Sequence, residues 1–369
     1  MSICADDREV VATRAEAARL TRPPLLVIEA LAEFLDAQGL GTGPIDWERI
    51  GDGQSNVTFG IRRGSDRFVV RRGPRPPLPR STHDMVREAR IQRFVGSHGL
   101  PVPEVLAVCS DEEVLGVPFY VMSWLDGQVV TESIPQALDA PDRRRATSEA
   151  IVDLLAELHN IPVDSPEAQL LGQPDGYLRR QVERFSSLWK SNTTRDLPAV
   201  ARLGAWLSDN LPASQASTVI HGDFRMGNVM FAPGASARVL ALLDWEMATI
   251  GDPLADLGYL VATYADASST PSVMELSAVT RQPGYLSRAE LVERYSKRVD
   301  LDLRALPWYE TLALWKAAVF CEAIYSRWLR GERPDDMLFS PALEAGVPFL
   351  LELAEATAGP YRREAVHVG

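Results

Sequence analysis

Apolar residues recur at helical spacing from Leu25 to Leu35, behind a Pro23-Pro24 pair that suits a helix start. Gly39-Leu40-Gly41-Thr42-Gly43-Pro44 breaks that pattern. A glycine-bearing turn, Ile50-Gly51-Asp52-Gly53-Gln54-Ser55-Asn56, then runs into a strand at Val57-Thr58-Phe59. Arg63-Gly64-Ser65-Asp66 predicts a hairpin turn that returns through Arg67-Phe68-Val69-Val70-Arg71. The prolines from Pro74 to Pro79 enforce loop, and Ser81 or Thr82 is placed to cap a helix reaching about Val95 and carrying Glu88. Two more strands are expected, at Val105 to Val108 and Phe119 to Met122.

Beyond Asp126-Gly127 the pattern becomes helical. The spacing predicts helices over Asp142 to Asn160, Gly176 to Trp189, Ala199 to Leu211, Leu254 to Tyr264, Arg288 to Val299, Trp308 to Arg330 and Pro341 to Ala358. Short apolar runs at Val219-Ile220, Val229-Met230-Phe231 and Val239 to Leu243 interrupt them as buried strand pieces. A strand-rich first third before a helical remainder predicts an α+β chain of two lobes. The expected division is a small β-rich N-lobe (1–122), a hinge (123–127) and a larger helical C-lobe (128–369).

Composition narrows the function. At 369 residues the chain exceeds a usual single core. A formal charge of −12 argues against non-specific nucleic-acid binding, which needs a basic surface. Cys4, Cys109 and Cys321 are scattered without metal or disulfide spacing. The first thirty residues hold Asp6, Asp7, Glu9 and Glu16 and lack the apolar core of a signal peptide. No run of about eighteen apolar residues reads as a membrane span, so a cytoplasmic protein without nucleic-acid or membrane partners is expected. Oligomeric state is not legible.

Polar residues cluster where the short strands of 219–259 stop. Asp223 stands five residues before Asn228, a kinase-like spacing, and Asp244 follows the apolar run Val239 to Leu243. Phosphoryl transfer asks a protein to hold phosphates, bind Mg²⁺ and orient the acceptor hydroxyl. Asp223 would take or orient the hydroxyl proton, while Asn228 and Asp244 offer the oxygen donors that Mg²⁺ prefers. Asp and Asn are also common turn residues, so each alone says little.

His221-Gly222-Asp223-Phe224-Arg225-Met226-Gly227-Asn228, with Asp244-Trp245-Glu246 and Gly251-Asp252-Pro253-Leu254-Ala255-Asp256-Leu257, resembles the aminoglycoside phosphotransferase and choline kinase-like family. The resemblance extends from about Ile50 to Leu353. It implies a two-lobed protein-kinase-like fold and an ATP- and Mg²⁺-dependent kinase acting on a small-molecule hydroxyl. Asp223 would be its catalytic base, Asn228 and Asp244 its magnesium ligands, and His221 and Asp256 supports for the loop. In the first lobe Gly53, Ser55 and Asn56 would cover the ATP phosphates, and the backbone of Met122-Ser123-Trp124 would meet adenine. The phosphate-binding lysine usual in the family is missing, because only Lys190, Lys297 and Lys316 occur in the chain. Arg71 is the expected substitute, held by Glu88, with Arg72 the competitor; arginine keeps the charge but grips phosphate with a different reach and geometry. Arg225 would either touch the transferred phosphate or an anionic substrate group, or stiffen the loop through a salt bridge. Trp308, Trp315, Phe320, Tyr325 and Trp328 on one predicted helix read first as core.

The blocks around Asp223, Asp244 and Gly251, with Trp315-Lys316-Ala317-Ala318-Val319 and Tyr325 to Gly331, look most like the subgroup related to kinase domains fused to acyl-CoA dehydrogenases. That implies a hydroxylated acyl acceptor, such as a hydroxyacyl-CoA. An aminoglycoside acceptor is the alternative, and it calls for acidic residues near Asp223: Glu246, Asp252, Asp266 and Glu322 are candidates. Two other classes compete, a non-catalytic pseudokinase-like module and a metal-dependent hydrolase using His221, Asp223 and Asp244.

Overall fold

The computed structural model describes residues 8–51, 56–76, 83–333 and 336–365, the last six of these by backbone alone. The chain divides into two compact units, 1–126 and 127–369.

The first unit is built on a five-stranded antiparallel sheet. In chain order its strands are β1 (Ile45–Ile50), β2 (Val57–Arg63), β3 (Asp66–Arg72), β4 (Val105–Cys109) and β5 (Phe119–Ser123), and their order in the sheet is β1-β2-β3-β5-β4. Gly64, at φ +61°, supplies the left-handed turn that lets Arg63 pair with Asp66. β1 is the strand that the hydrophobic pattern does not announce. It is an edge strand whose Asp46, Trp47 and Glu48 face solvent, so no buried alternation marks it.

Two helices cover opposite faces of this sheet. On one side α1 (Ile28–Ala37) packs Leu31 and Leu35 over Phe59, Ile61, Val70, Phe119 and Val121. On the other, α2 (Met85–Ser97) sets Met85 and Ala89 against Val105 and Tyr120. Side chains alternate along β5, with Phe119 and Val121 on the α1 face and Tyr120 on the α2 face. The cap of α2 is Asp84, whose Oδ1 accepts the Arg87 N–H at 2.9 Å, rather than Ser81 or Thr82, which lie outside the described residues.

The second unit is mainly helical: α3 (Pro141–His159), α4 (Tyr177–Asn192), α5 (Pro198–Asp209), α6 (Leu254–Thr263), α7 (Arg288–Ser296), α8 (Leu306–Leu329) and α9 (Phe339–Ala365). Four short strands carry the loops of interest: β6 (Thr218–Ile220), β7 (Val229–Phe231), β8 (Val239–Leu242) and β9 (Thr249–Gly251). β6 pairs antiparallel with β9, and β7 with β8. Helix α8 is central, and its Trp308 and Trp315 are fully buried, donating indole N–H groups to the Leu207 and Val200 carbonyls at 3.2 and 3.0 Å. Tyr325 is also buried, but Phe320 departs from the core expectation and is 63% exposed. Among the described residues no helix is long and apolar enough to cross a membrane.

Candidate active site

Within the second unit, the chain leaves β6 at Ile220 and turns through His221-Gly222-Asp223. Gly222 sits at φ +82°, where a Cβ would stand 2.7 Å from the Met247 carbonyl oxygen, so both conformation and space demand glycine. Asp256 on α6 pins the turn: its carboxylate accepts the N–H groups of His221 and Gly222 at 2.6 and 2.8 Å. Burial works to raise the Asp256 pKa, but the hydrogen bond and charge of His159, the charge of His221 and the His221 N–H together draw it below the usual carboxylate range. His221 is fully buried; its Nε2 donates to the Leu243 carbonyl at 2.8 Å and its Nδ1 accepts the Asp223 N–H at 3.3 Å. Both ring nitrogens are therefore engaged inside the protein.

Asp223 lies at the centre of a set of donors. Asn228 Nδ2 gives one hydrogen to the Asp223 backbone oxygen at 2.8 Å and the other to its Oδ2 at 2.9 Å. Arg225 Nε reaches the same Oδ2 at 3.4 Å, and the guanidinium covers Gly227 so closely that a Cβ there would lie 2.3 Å from Nη1. Tyr259 donates its hydroxyl to Oδ1 at 2.5 Å. Burial, with the neighbouring Asp223 charge, pushes the Tyr259 phenol well above the ordinary tyrosine value, so it remains a donor. Tyr259 was not singled out from the sequence. The available signal was its position three residues after Asp256 on α6, which places both side chains on one helix face.

The strands bring Asp244 to the same end of the unit. Val229 pairs with Leu242, and the next residue, Leu243, donates its N–H to the Asn228 carbonyl at 2.8 Å while accepting from His221. Asp244 then adopts a left-handed backbone, φ +66° and ψ 69°, at a cost of roughly 1–2 kcal/mol for a residue with a Cβ. Because the Asn228 amide nitrogen is committed to Asp223, its Oδ1 is the atom that could ligate a metal, and Asp244 follows Leu243, whose N–H bonds the Asn228 backbone carbonyl. One amide and one carboxylate oxygen make a hard, incomplete donor set, the kind Mg²⁺ takes when phosphate and water fill the rest of its shell.

In the first unit, register puts Arg71 and Arg72 on opposite faces of the sheet. Arg71 pairs with Tyr120 across β3 and β5, so both face α2. There Glu88 Oε1 accepts from Arg71 Nε at 2.7 Å and from the Tyr120 hydroxyl at 3.0 Å, with Glu88 buried. Arg72 points to the opposite face, fully buried, and bonds the carbonyls of Leu25, Gly73 and Pro74; burial lowers its pKa to about 10. Asn56 is buried with Oδ1 2.8 Å from His83 Nδ1, whereas Gly53 and Ser55 lie outside the described residues. Met122 pairs with Val69 and Val105 in the sheet. Ser123 is tied to Glu104 through both its N–H and its hydroxyl, at 2.8 and 2.9 Å. The Trp124 ring lies beneath the Arg67 guanidinium, 3.8 Å from its centroid, and gives its N–H to Asp126 at 2.8 Å.

The acidic residues considered for a cationic acceptor are mostly spent elsewhere. Asp252 is buried, bonds the Tyr309 hydroxyl at 2.8 Å and has its pKa raised by burial against the pull of Ser214 and Tyr309. Asp266 accepts from the backbone of Ser268 and Arg288, and Glu322 is fully buried against Arg195 and Thr193. Three of the four are internal struts, correcting that expectation; Glu246 is half-buried beside Trp245.

The family model of the phosphotransferase enzyme family matches residues 46–291. Acyl-CoA dehydrogenase family member 11 of Pongo abelii is 33% identical over 311 residues, 83% of this chain but 39% of that protein. This chain thus spans about two-fifths of the length of that relative. The aminoglycoside 3'-phosphotransferase of Streptomyces fradiae is 28% identical over 72% of this chain and 94% of its own. Among solved structures, a Ralstonia eutropha JMP134 protein provisionally described as an aminoglycoside phosphotransferase superposes with a TM-score of 0.74 at 27% identity, covering 90% of this chain and 98% of that one.

Proposed function

We propose, proceeding from the fact that the chain belongs to the phosphotransferase enzyme family, that it transfers the γ-phosphoryl group of ATP to a hydroxyl of a hydroxylated acyl compound. That it is a phosphotransferase of protein-kinase-like fold follows from the family match; the donor, the acceptor and the roles below are our reading. One observation carries it: the Asn228 amide donates both its hydrogens to Asp223, which fixes the carboxylate and leaves the amide oxygen as the atom that can ligate a metal.

Asp223 orients the acceptor hydroxyl and takes its proton. An ionised carboxylate offers about four lone-pair directions. Asn228 and Arg225 occupy those of Oδ2, and Tyr259 one of Oδ1. The remaining lone pair of Oδ1 is where the hydroxyl would donate. Asn228 Oδ1 and Asp244 would hold magnesium, which when bound neutralises charge on the phosphates. Arg71, steadied by Glu88 and Tyr120, serves the phosphates in place of lysine. Arg225 stiffens the loop through its ion pair with Asp223.

Internal use of Asp252, Asp266 and Glu322 favours an acyl acceptor over an aminoglycoside, whose ammonium groups need exposed carboxylates. The name shared by the longer relatives supports the same choice. An ATP-coupled screen of hydroxyacyl-CoAs, hydroxy acids, aminoglycosides and amino alcohols tests this. Turnover confined to the acyl compounds is expected, and turnover confined to the amino sugars would reverse the choice. Nucleotide binding without acceptor-dependent turnover would favour the pseudokinase-like module.

A further inference from the structure

A small pocket in the second unit connects the catalytic turn to helix α8. Gly222, Tyr259 and Asp256 line one side, and Tyr309, Ala313 and Lys316 the other. Its volume is about 20 Å³, room for about one water-sized atom, such as a single oxygen of an oxyanion, rather than a whole acceptor.

Lys316 is the unusual member. Its ammonium donates to the neutral Gln181 Oε1 at 3.0 Å and lies 4.8 Å from the Phe185 ring centroid. Among the described residues, no carboxylate lies within ion-pair distance of Nζ. The negative group that favours its charge is Asp256, already engaged by His159, His221 and Gly222. The other charge acting on it, Arg184, is positive. Burial, followed by Arg184, lowers the Lys316 pKa to about 8, so the group still carries charge near neutral pH. A half-buried cation held by a neutral amide lacks the counter-ion that such groups normally find.

The apolar setting points the same way. Tyr309, Ala313, Lys316 and Phe320 follow each other at spacings of four, three and four along α8, which is one helix face. Phe320 closes that row with 63% of its surface exposed.

We propose that Lys316 is the anion anchor of the acceptor subsite, binding an oxyanion of the molecule to be phosphorylated, while Phe320 one turn on lies along its apolar segment. The inference rests on the phosphotransferase reading above. The oxyanion is a carboxylate of a free hydroxy acid or a phosphate of a thioester carrier, and the acceptor series separates the two.

Initial rates are measured with one hydroxylated acyl chain presented as the free carboxylate, as the coenzyme A thioester and as the neutral primary amide. Wild type, Lys316→Gln and Lys316→Arg are compared. Loss of one charged hydrogen bond predicts that Lys316→Gln raises KM for the recognised anionic acceptor by about 10- to 100-fold. The KM for ATP and the weak use of the amide stay unchanged, and Lys316→Arg restores most of the loss. An equal effect of Lys316→Gln on acid, thioester and amide, or no effect, would overturn the assignment. A second measurement needs no variant: with wild type, the chain lacking the hydroxyl should compete with the acceptor in its anionic form and not as the amide, and equal inhibition by both forms would also overturn it. Wild type that phosphorylates none of the three acceptors instead sinks the reading of the reaction.

Discussion

Asp223 and Tyr259 share the centre of the site, the tyrosine hydroxyl donating to the carboxylate. Asp223→Ala should reduce phosphoryl transfer by roughly 100- to 10,000-fold, the range for loss of a positioned general base, while ATP still binds. Steady-state kinetics with a nucleotide-binding titration check both halves, and near-wild-type turnover would refute the role. Tyr259→Phe removes one hydrogen bond of about 1 kcal/mol and leaves the carboxylate free to turn. It should lower kcat roughly five-fold by that arithmetic, with KM for ATP unchanged. Asp256 yields a pH prediction. Its folded pKa lies below the unfolded value, so its stabilisation is present above about pH 4 and is lost as pH falls through the folded value. The stability gap between wild type and Asp256→Asn, followed by denaturant melts, should therefore narrow on acidification below that point.

At the scale of elements, the site depends on registers that sequence periodicity gives only in part. The alternation Val70-Arg71-Arg72 says that neighbouring arginines face opposite sides of a strand. It does not say which side carries Glu88; the pairing of Arg71 with Tyr120 and the seating of α2 decide that. Removing one partner of a buried ion pair costs about 3–5 kcal/mol. Arg71→Ala should thus destabilise the first unit as well as raise KM for ATP, whereas Arg71→Lys should keep much of both, as melting curves and ATP kinetics would show. The hairpin at Gly64 was legible from its turn chemistry. β1 was not, because an edge strand with polar outward residues leaves no buried stripe in the sequence. The left-handed Asp244 and the tight approach of Met247 to Gly222 were likewise invisible, being set by contacts distant in sequence. Gly222→Ala should therefore lower the melting temperature and turnover together.

For the whole molecule, the hydrophobic pattern gave two lobes and most helices of the second, because long amphipathic segments declare themselves. The acceptor lay beyond its reach. Three of the acidic residues that looked available for amino sugars became internal struts, and a lysine within an apolar helix became the one cation among the described residues lining the pocket beside the catalytic turn. Phosphoryl transfer from MgATP to an alcohol, with Asp223 as base, is the central claim. Its most direct measurement follows the γ-phosphate by phosphorus NMR, with wild type and Asp223→Ala, in the presence and absence of Mg²⁺ and a hydroxyacyl acceptor. The expected result is a new phosphate monoester equal in amount to the ADP formed, seen with wild type, metal and acceptor together and absent when any one is missing. Ester formation by Asp223→Ala at the wild-type rate, or without magnesium, would contradict the account.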